Sequence, residues 1–534
     1  MPAQGSSSTS ADRCRANEAG HLAGAPMRFV AGSAFVATSD GTAELPDRPT
    51  NASLSCPGRS RVDRPHSQTR THRCAMIGTS NSFAQQQKSD STYLDVAAND
   101  HGHEKGLLVH RALARVADAA PHVVEIGPGG GAAVAFLASQ LESETRNVRL
   151  TLIEAPGITS RSLTQAIDRF NTVGTCVLVR GWAQDIATLV SKPVDVISAS
   201  ALLHEVYSYG GAYSGLHTMI RTFPTVLKHY GFFVYRDVYA VNAPSLHEPA
   251  VQSYSAPSWL QFLRLFLPHY LHHGTHPYHH HDDEIIVRQN SRIVAAPELD
   301  PRVCAVVHAP IGLFRETQRH YITLRDHVWR SGILGFTPVL DGQLSGDWID
   351  FRTGHKRVHF TFTDSTWMST NDRASIHAVS ESYGDHHVID GDIFDAVTDV
   401  ALNLFLTAVE RGNNECGQIW GTWLEREGRE TYAYLTVDEL LTAFAVHSAE
   451  TDTGMPSVLM PVHPTDVFVR ERHYYNRFLG KNLANPLSDA KQMVLFQNIP
   501  VTDSEALRQA LGTIRQHCSK PSLARVHTAI HTRG

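Results

Sequence analysis

Apolar and polar positions along this chain fall into two periods, and the clearest early element is a short β-branched run. His122-Val123-Val124-Glu125-Ile126 enters a knot of glycine and proline, Gly127-Pro128-Gly129-Gly130-Gly131, and leaves it as alanine-rich apolar sequence. That pattern predicts a strand, a tight turn and the start of a helix. Four more apolar runs predict strands: Val148 to Glu154, Cys176 to Val179, Val194 to Ser200 and Gly231 to Asp237. Ahead of them, Leu107, Leu108, Leu113, Val116 and Ala117 have helical spacing and predict a helix packed on the sheet. Beyond them, Trp259 to Pro268 reads as an apolar helix stopped by its proline. Phe314 to Arg330 is helical in pattern with charges and aromatics mixed, Arg357 to Thr363 alternates as a strand, and Phe394 to Val409 predicts another helix. Thr436-x-x-Glu439 is a capping box opening a helix through Leu440, Leu441, Ala443 and Phe444, and Gln492 to Asn498 predicts a late strand.

At 534 residues the chain exceeds what one core usually fills, so more than one domain or a large insertion is expected. No apolar run approaches the roughly 18 residues that a membrane-spanning helix needs. Net charge is −6 with a pI near 6.6, which gives no global attraction to nucleic acid or anionic membrane. Seven cysteines are scattered without a C-x-x-C pair, which predicts a reducing, cytoplasmic setting and no disulfide framework. Residues 1–76 are rich in Ser, Thr, Arg, Pro and Gly with little apolar periodicity, and are expected to be disordered. Their acids, Asp12, Glu18, Asp40, Glu44, Asp47 and Asp63, argue against an organelle transit peptide, and Met76 is a candidate for the true start.

The glycine knot supplies the candidate chemistry. Gly127, Gly129 and Gly131 lack a Cβ, so they can take positive φ and let a ligand approach the backbone N–H groups of the new helix. With Ala132 as third member the spacing also satisfies the dinucleotide fingerprint. Glu125 tips the balance between the two readings, because a carboxylate there repels a pyrophosphate but suits a cationic amino acid moiety. Glu125-x-Gly127-x-Gly129-x-Gly131 resembles the first motif of the class I S-adenosylmethionine-dependent methyltransferases. The following strands fit that resemblance in order. It implies an α/β, Rossmann-like doubly wound sheet with S-adenosylmethionine as cofactor, a large α+β insertion or C-terminal extension, and a disordered N-terminal segment. It places Glu154 on the ribose hydroxyls, Trp182 and Ala183 beside the adenine, and Ser200 at the end of the fourth strand, whose loop borders the transferred methyl.

Acceptor chemistry is narrowed by what is missing. After the fourth strand stands Ser198-Ala199-Ser200-Ala201, not the Asn/Asp-Pro-Pro-aromatic motif of adenine N6 or glutamine methylation, and no Pro-Cys offers the nucleophile for pyrimidine C5. Methylation of oxygen or nitrogen on a small molecule, in specialised metabolism, is the expectation. His204 follows the fourth strand and is the base candidate, with an ordinary value near 6.5 unless the pocket shifts it. Glu205 would orient it or bind an amine. Two other function classes stay open: a catalytically idle S-adenosylmethionine-binding protein acting through its second region, and an NAD(P)-dependent oxidoreductase.

The rest of the chain is assigned more coarsely. The expected partition is a core over 77–240, an insertion or substrate region over 241–430, completion of the core over 431–500 and a C-terminal helix and tail over 501–534. A complete N-terminal core followed by an independent domain is the competing partition. On the helical stretch after Phe314, Arg319, His320, Tyr321, Trp329 and Arg330 read as one face suited to an anionic or aromatic substrate, or as arginines paired to acids. His269, His272, His273, His276, His279, His280 and His281 form a cluster, but with 32 histidines in the chain, no cysteine beside them and Gly274 and Pro277 signalling a loop, no metal is assigned.

Overall fold

The apolar run His122–Ile126 is strand β1, and every one of its residues is buried. It turns through the glycines into helix α2, Ala132–Leu141, after helix α1, Gly102–Leu113, has packed ahead of it. The alternation of strand and helix continues with β2 (Arg149–Glu154), α3 (Arg161–Phe170), β3 (Thr175–Arg180), β4 (Val194–Ser200), α4 (Leu203–Tyr209), α5 (Ala212–Val226) and β5 (Leu227–Asp237). The computed structural model describes residues 102–144, 146–190, 193–237, 243, 245–273, 275–277, 285–338, 357–451 and 455–532. The segment expected to be disordered, 1–76, lies outside them, as do Tyr93, Leu94, His101 and the histidines 279–281 of the cluster.

The chain then builds a second body of structure. Strands β6 (Pro249–Tyr254), β7 (Ile286–Gln289), β8 (Arg292–Ile293) and β9 (Ala305–Pro310) form a four-stranded sheet in the order β6-β9-β7-β8. Strands β10 (Phe336–Pro338), β11 (Arg357–Phe362), β12 (Glu381–Ser382) and β13 (His387–Asp390) form another, in the order β10-β11-β13-β12. Helices α6 (Pro257–His273), α7 (Ile311–Ser331), α8 (Gly391–Glu410) and α9 (Asn414–Arg426) pack with them around a separate apolar core that includes Trp259, Phe266, Tyr321, Trp329 and Trp423.

After α10 (Val437–Ala449) come β14 (Ser457–Met460), β15 (Val467–Glu471), α11 (His473–Asn482), β16 (Ala490–Pro500), α12 (Ser504–Ile514) and α13 (Lys520–His531). These late strands join the first sheet, whose order is β14-β16-β5-β4-β1-β2-β3, with β15 also on β16. From β3 to β5 all pairings are parallel, whereas β16 runs antiparallel to β5, Gln492 facing Asp237. The fold is therefore α/β, a Rossmann-like doubly wound sheet. One face packs on α1, α2 and α3, and the other on α4, α5, α10, α12 and α13. Helix α11 returns to the second core through Tyr474, Tyr475 and Phe478.

Several expectations need correcting. Pro268 does not stop its helix; α6 continues to His273 with Pro268 inside it, because Leu267 and Tyr270 on either side are still buried in the second core. The residues read as one face of α7 are spread around it: His320, Tyr321 and Trp329 are buried while Arg330 is exposed. At 100° per residue those positions cannot share a face, and the second core covers α7 nearly all round. The four described cysteines, Cys176, Cys304, Cys416 and Cys518, are free thiols, and among the described residues no helix is long and apolar enough to cross a membrane.

Candidate active site

The turn after β1 is held by its own backbone. Gly127 N–H donates to Ile153 of β2 at 2.9 Å, and Gly131 N–H to Pro128 at 2.9 Å. Gly127, Gly129 and Gly131 have φ of +69°, +57° and +79°. At Gly131, the residue that starts α2, a Cβ would also come within 2.9 Å of Ala166 and of the Leu163 backbone on α3. Any side chain there would have to push two helices apart.

Two carboxylates meet at this turn. Glu125 is buried, and burial raises its carboxyl to about 7, with Glu154 adding to the rise and Lys105 of α1 opposing it. Glu154 closes β2 and accepts the N–H of Gly129 at 3.2 Å and its neighbour Ala155's at 2.9 Å. Trp182 stands at the end of β3 with its indole 38% exposed, and Ala183 beside it packs on the core. Ser200 ends β4, and its hydroxyl accepts Arg236 Nη1 at 3.1 Å.

On the other side of the sheet the ends of β4 and β5 hold a second polar cluster. His204, in the first turn of α4, lies with Nδ1 2.7 Å from Asp237 Oδ1, while its backbone N–H donates to Asp237 Oδ2 at 3.1 Å. Tyr434 O–H donates to the same carboxylate at 3.2 Å. His204 Nε2 faces Glu430 Oε2 at 3.6 Å. Burial by itself would lower the imidazole's pKa, but Asp237 and Glu430 overcome it and raise it well above the ordinary value. The value near 6.5 expected of an unperturbed His204 thus gives way to an imidazole charged at neutral pH, since two carboxylates flank it out of water. Glu205 is half-buried, and it, His204 and Glu430 each bring a side-chain donor atom within 4.8 Å of the others.

Three participants escaped the sequence. Asp237 was legible as the end of a strand but not as the partner of His204, and Glu430 is reached only through the fold. The third is Glu104 of α1, which accepts Arg236 Nη2 at 2.8 Å and Lys491 Nζ at 3.0 Å. Burial pushes its carboxyl up, yet Arg236 and Lys491 outweigh that and hold it at about 2. Glu104 therefore pins α1, with its neighbour Lys105, to the upper ends of β5 and β16.

No family model matches the chain, and no curated protein matches it. Among solved structures the chain is similar to an amino pentose methyltransferase from Micromonospora echinaspora involved in calicheamicin biosynthesis, at 15% identity and TM-score 0.21 over 29% of this chain. It is similar to an O-methyltransferase family protein from Burkholderia thailandensis, at 14% identity and TM-score 0.24 over 43% of this chain. A methyltransferase from Streptomyces caelestis gives 20% identity and TM-score 0.20 over 28% of this chain. The matched parts span 58%, 63% and 58% of those chains. The functional reading rests on the site itself.

Proposed function

We propose that this chain is an S-adenosylmethionine-dependent methyltransferase that modifies an oxygen or nitrogen of a small molecule in specialised metabolism. The observation that carries the reading is the pair of buried carboxylates, Glu125 and Glu154, meeting over three positive-φ glycines at the start of α2. Glu125 would take the cationic amino group of the cofactor and Glu154 its two ribose hydroxyls, in place of the Gly129 N–H it now accepts. Trp182 and Ala183 would flank the adenine, and Ser200 would line the end of β4. A dinucleotide fits poorly, because its pyrophosphate would lie against the Glu125 carboxylate. When bound, S-adenosylmethionine supplies a methyl on a sulfonium sulfur, which leaves as a neutral thioether once the acceptor's lone pair has taken the carbon. The chain's own part is to align the acceptor, exclude water and handle its proton.

His204 and Glu205 would serve the acceptor, because they sit just beyond β4 in the crevice at the carboxyl ends of the strands. That buried cluster favours an enzyme over an idle binding protein. The same reading makes β1 to β5 and β14 to β16 one core, with the structure from β6 to α9 inserted into it as a substrate region.

Calorimetric titration with S-adenosylmethionine, S-adenosylhomocysteine and NAD, followed by turnover on a panel of phenols, amines and amino sugars, tests the proposal. Glu154→Ala should weaken binding of S-adenosylmethionine by at least about tenfold, through lost charge-assisted hydrogen bonds of about 1.5 to 3 kcal/mol each at most. Unchanged affinity in a folded variant removes Glu154 from the site, and preference for NAD removes the methyltransferase.

Binding should also depend on pH. In the free protein Glu125 is raised from 4.5 to about 7, so its protonated form is favoured in the fold. A raised group stabilises the ligand-free protein fully below its unfolded value, and that contribution is lost as pH rises through the folded one. A cationic ligand needs the ionised carboxylate, so affinity should climb as pH rises towards and past about 7. It should fall again as the ligand's α-amino group loses its proton, at roughly 7.7 to 8.0. Titration in buffers of differing ionisation heat should report proton release below neutrality; flat affinity from pH 6 to 7.5 would remove Glu125 from the contact.

A further inference from the structure

We infer that His204, Glu205 and Glu430 form a binding site for one divalent cation of the zinc or manganese type. The three residues come from two distant stretches, the first turn of α4 and the segment ahead of α10, yet their donor atoms lie within 4.8 Å of one another. His204 Nε2 and Glu430 Oε2 are 3.6 Å apart, long for a hydrogen bond. Two ligands of a tetrahedral zinc, each at about 2.0 to 2.1 Å, stand roughly 3.3 Å apart, so this pair is close to that spacing and Glu205, within 4.8 Å, closes the site by turning its side chain inward.

An independent feature points the same way. Metal-binding imidazoles nearly always give their second ring N–H to a carboxylate that fixes tautomer and orientation. Asp237 does this here, taking Nδ1 at 2.7 Å, and is itself fixed by the His204 backbone N–H and by Tyr434 O–H. That arrangement turns Nε2 towards Glu430, where a cation would take the place of its proton. Glu430 is steadied in turn by the Tyr432 hydroxyl at 2.9 Å. One nitrogen and two carboxylate oxygens suit zinc or manganese better than the soft thiolate-seeking metals.

Three protein ligands leave at least one coordination position open, as catalytic metal sites do. Resting on the methyltransferase reading, this deepens it: the acceptor would be a molecule that binds the cation through oxygen, such as a vicinal diol, an enol or a hydroxy acid. Bound hydroxyls lose their protons more readily on a cation, which would prepare the oxygen as nucleophile.

The test uses the full chain after chelator treatment, titrated with Co2+ and followed by its visible absorption. Because 32 histidines invite adventitious binding, the deciding comparison is between variants. One Co2+ should bind, be displaced by Zn2+, and bind at least tenfold more weakly in Glu430→Gln and in Glu205→Gln, each checked by its metal-free thermal unfolding. Asp237→Asn should weaken it by about 10 to 100-fold. His269→Ala with His273→Ala should leave it unchanged. Loss of the signal only in that histidine pair would move the metal to α6 and overturn the site. Absence of stoichiometric Co2+ binding, or binding indifferent to Glu430→Gln and Glu205→Gln, would overturn it outright and leave His204 an imidazolium between two acids. Methyl transfer is read separately: site-specific Co2+ binding without turnover on any acceptor supports the metal site and counts against the methyltransferase reading.

Discussion

Asp395→Leu should destabilise the chain by about 3 to 5 kcal/mol, measured as a shift of the urea transition followed by near-UV circular dichroism. Arg325 lies in the middle of α7, wholly buried, and its guanidinium is sandwiched by Trp329 at 4.3 Å and Phe478 at 3.9 Å. Its counter-charge is Asp395 in the first turns of α8, which accepts Arg325 Nη2 at 2.7 Å, Tyr474 O–H at 2.7 Å and Arg477 Nη2 at 3.3 Å. That single carboxylate ties α7, α8 and α11 together. Removing it leaves a cation in a dry aromatic cage, and breaking one half of a buried pair costs far more than the pair contributes. Asp399, which also acts on Arg325, keeps the expected loss near the lower end of the range. Arg325→Met combined with Asp395→Leu should recover most of the stability, because it removes the stranded charge as well. A single variant within 1 kcal/mol of the parent would show that water reaches the guanidinium.

The consequence extends to the site, because α7 also supports Glu430. Glu316 on α7 accepts the N–H of Ala433, and His320 on the next turn bonds the Glu427 backbone at 3.0 Å. Both contacts hold the stretch that brings Glu430 to His204. Loosening α7 should therefore weaken the His204 cluster before it disturbs the glycine turn, which is held by β1, β2, α2 and α3.

How much of this was legible beforehand follows from the range of the interactions. The β1 turn was readable because its signals are local: five consecutive buried residues, then glycines whose φ no other residue adopts easily. Gln492 to Asn498 was readable as a strand for the same reason, although β16 is longer at both ends. Strands β14 and β15 were missed, being only four and five residues long and so too short to show a period, although Pro456 and Pro461 flank the first and Pro464 precedes the second. Helix α7 left two readings open, a substrate-facing surface or arginines paired to acids, because charge in a sequence signals exposure without naming a partner. Here Arg315, Glu316, Arg325 and Asp326 are buried, their partners lying at Ser488, Ala433, Asp395 and Tyr475, between 70 and 173 residues away along the chain. His204 was found by its place after β4, but Glu430 is brought to it only when the structure between β5 and α10 folds.

His204→Gln should lower turnover by roughly a hundredfold or more while S-adenosylmethionine affinity stays within about twofold. Glutamine keeps a donor that can reach Asp237, so the buried carboxylate retains a partner and the fold should survive. It cannot carry the positive charge that imidazole holds between Asp237 and Glu430, nor give a second ring nitrogen to a cation. The acceptor end therefore loses its chemistry on either account. The proposed cofactor contacts do not, because Glu125, Glu154 and the glycines lie at the ends of β1 and β2, whereas His204 bonds Asp237 and faces Glu430. Steady-state kinetics with saturating cofactor should show the loss in kcat rather than in the KM for S-adenosylmethionine. A variant that instead loses cofactor affinity with kcat preserved would make His204 a packing residue of the cofactor pocket. One that keeps near-normal kcat would show that methyl transfer here needs only alignment, with Asp237 and Glu430 serving to hold α4 in place.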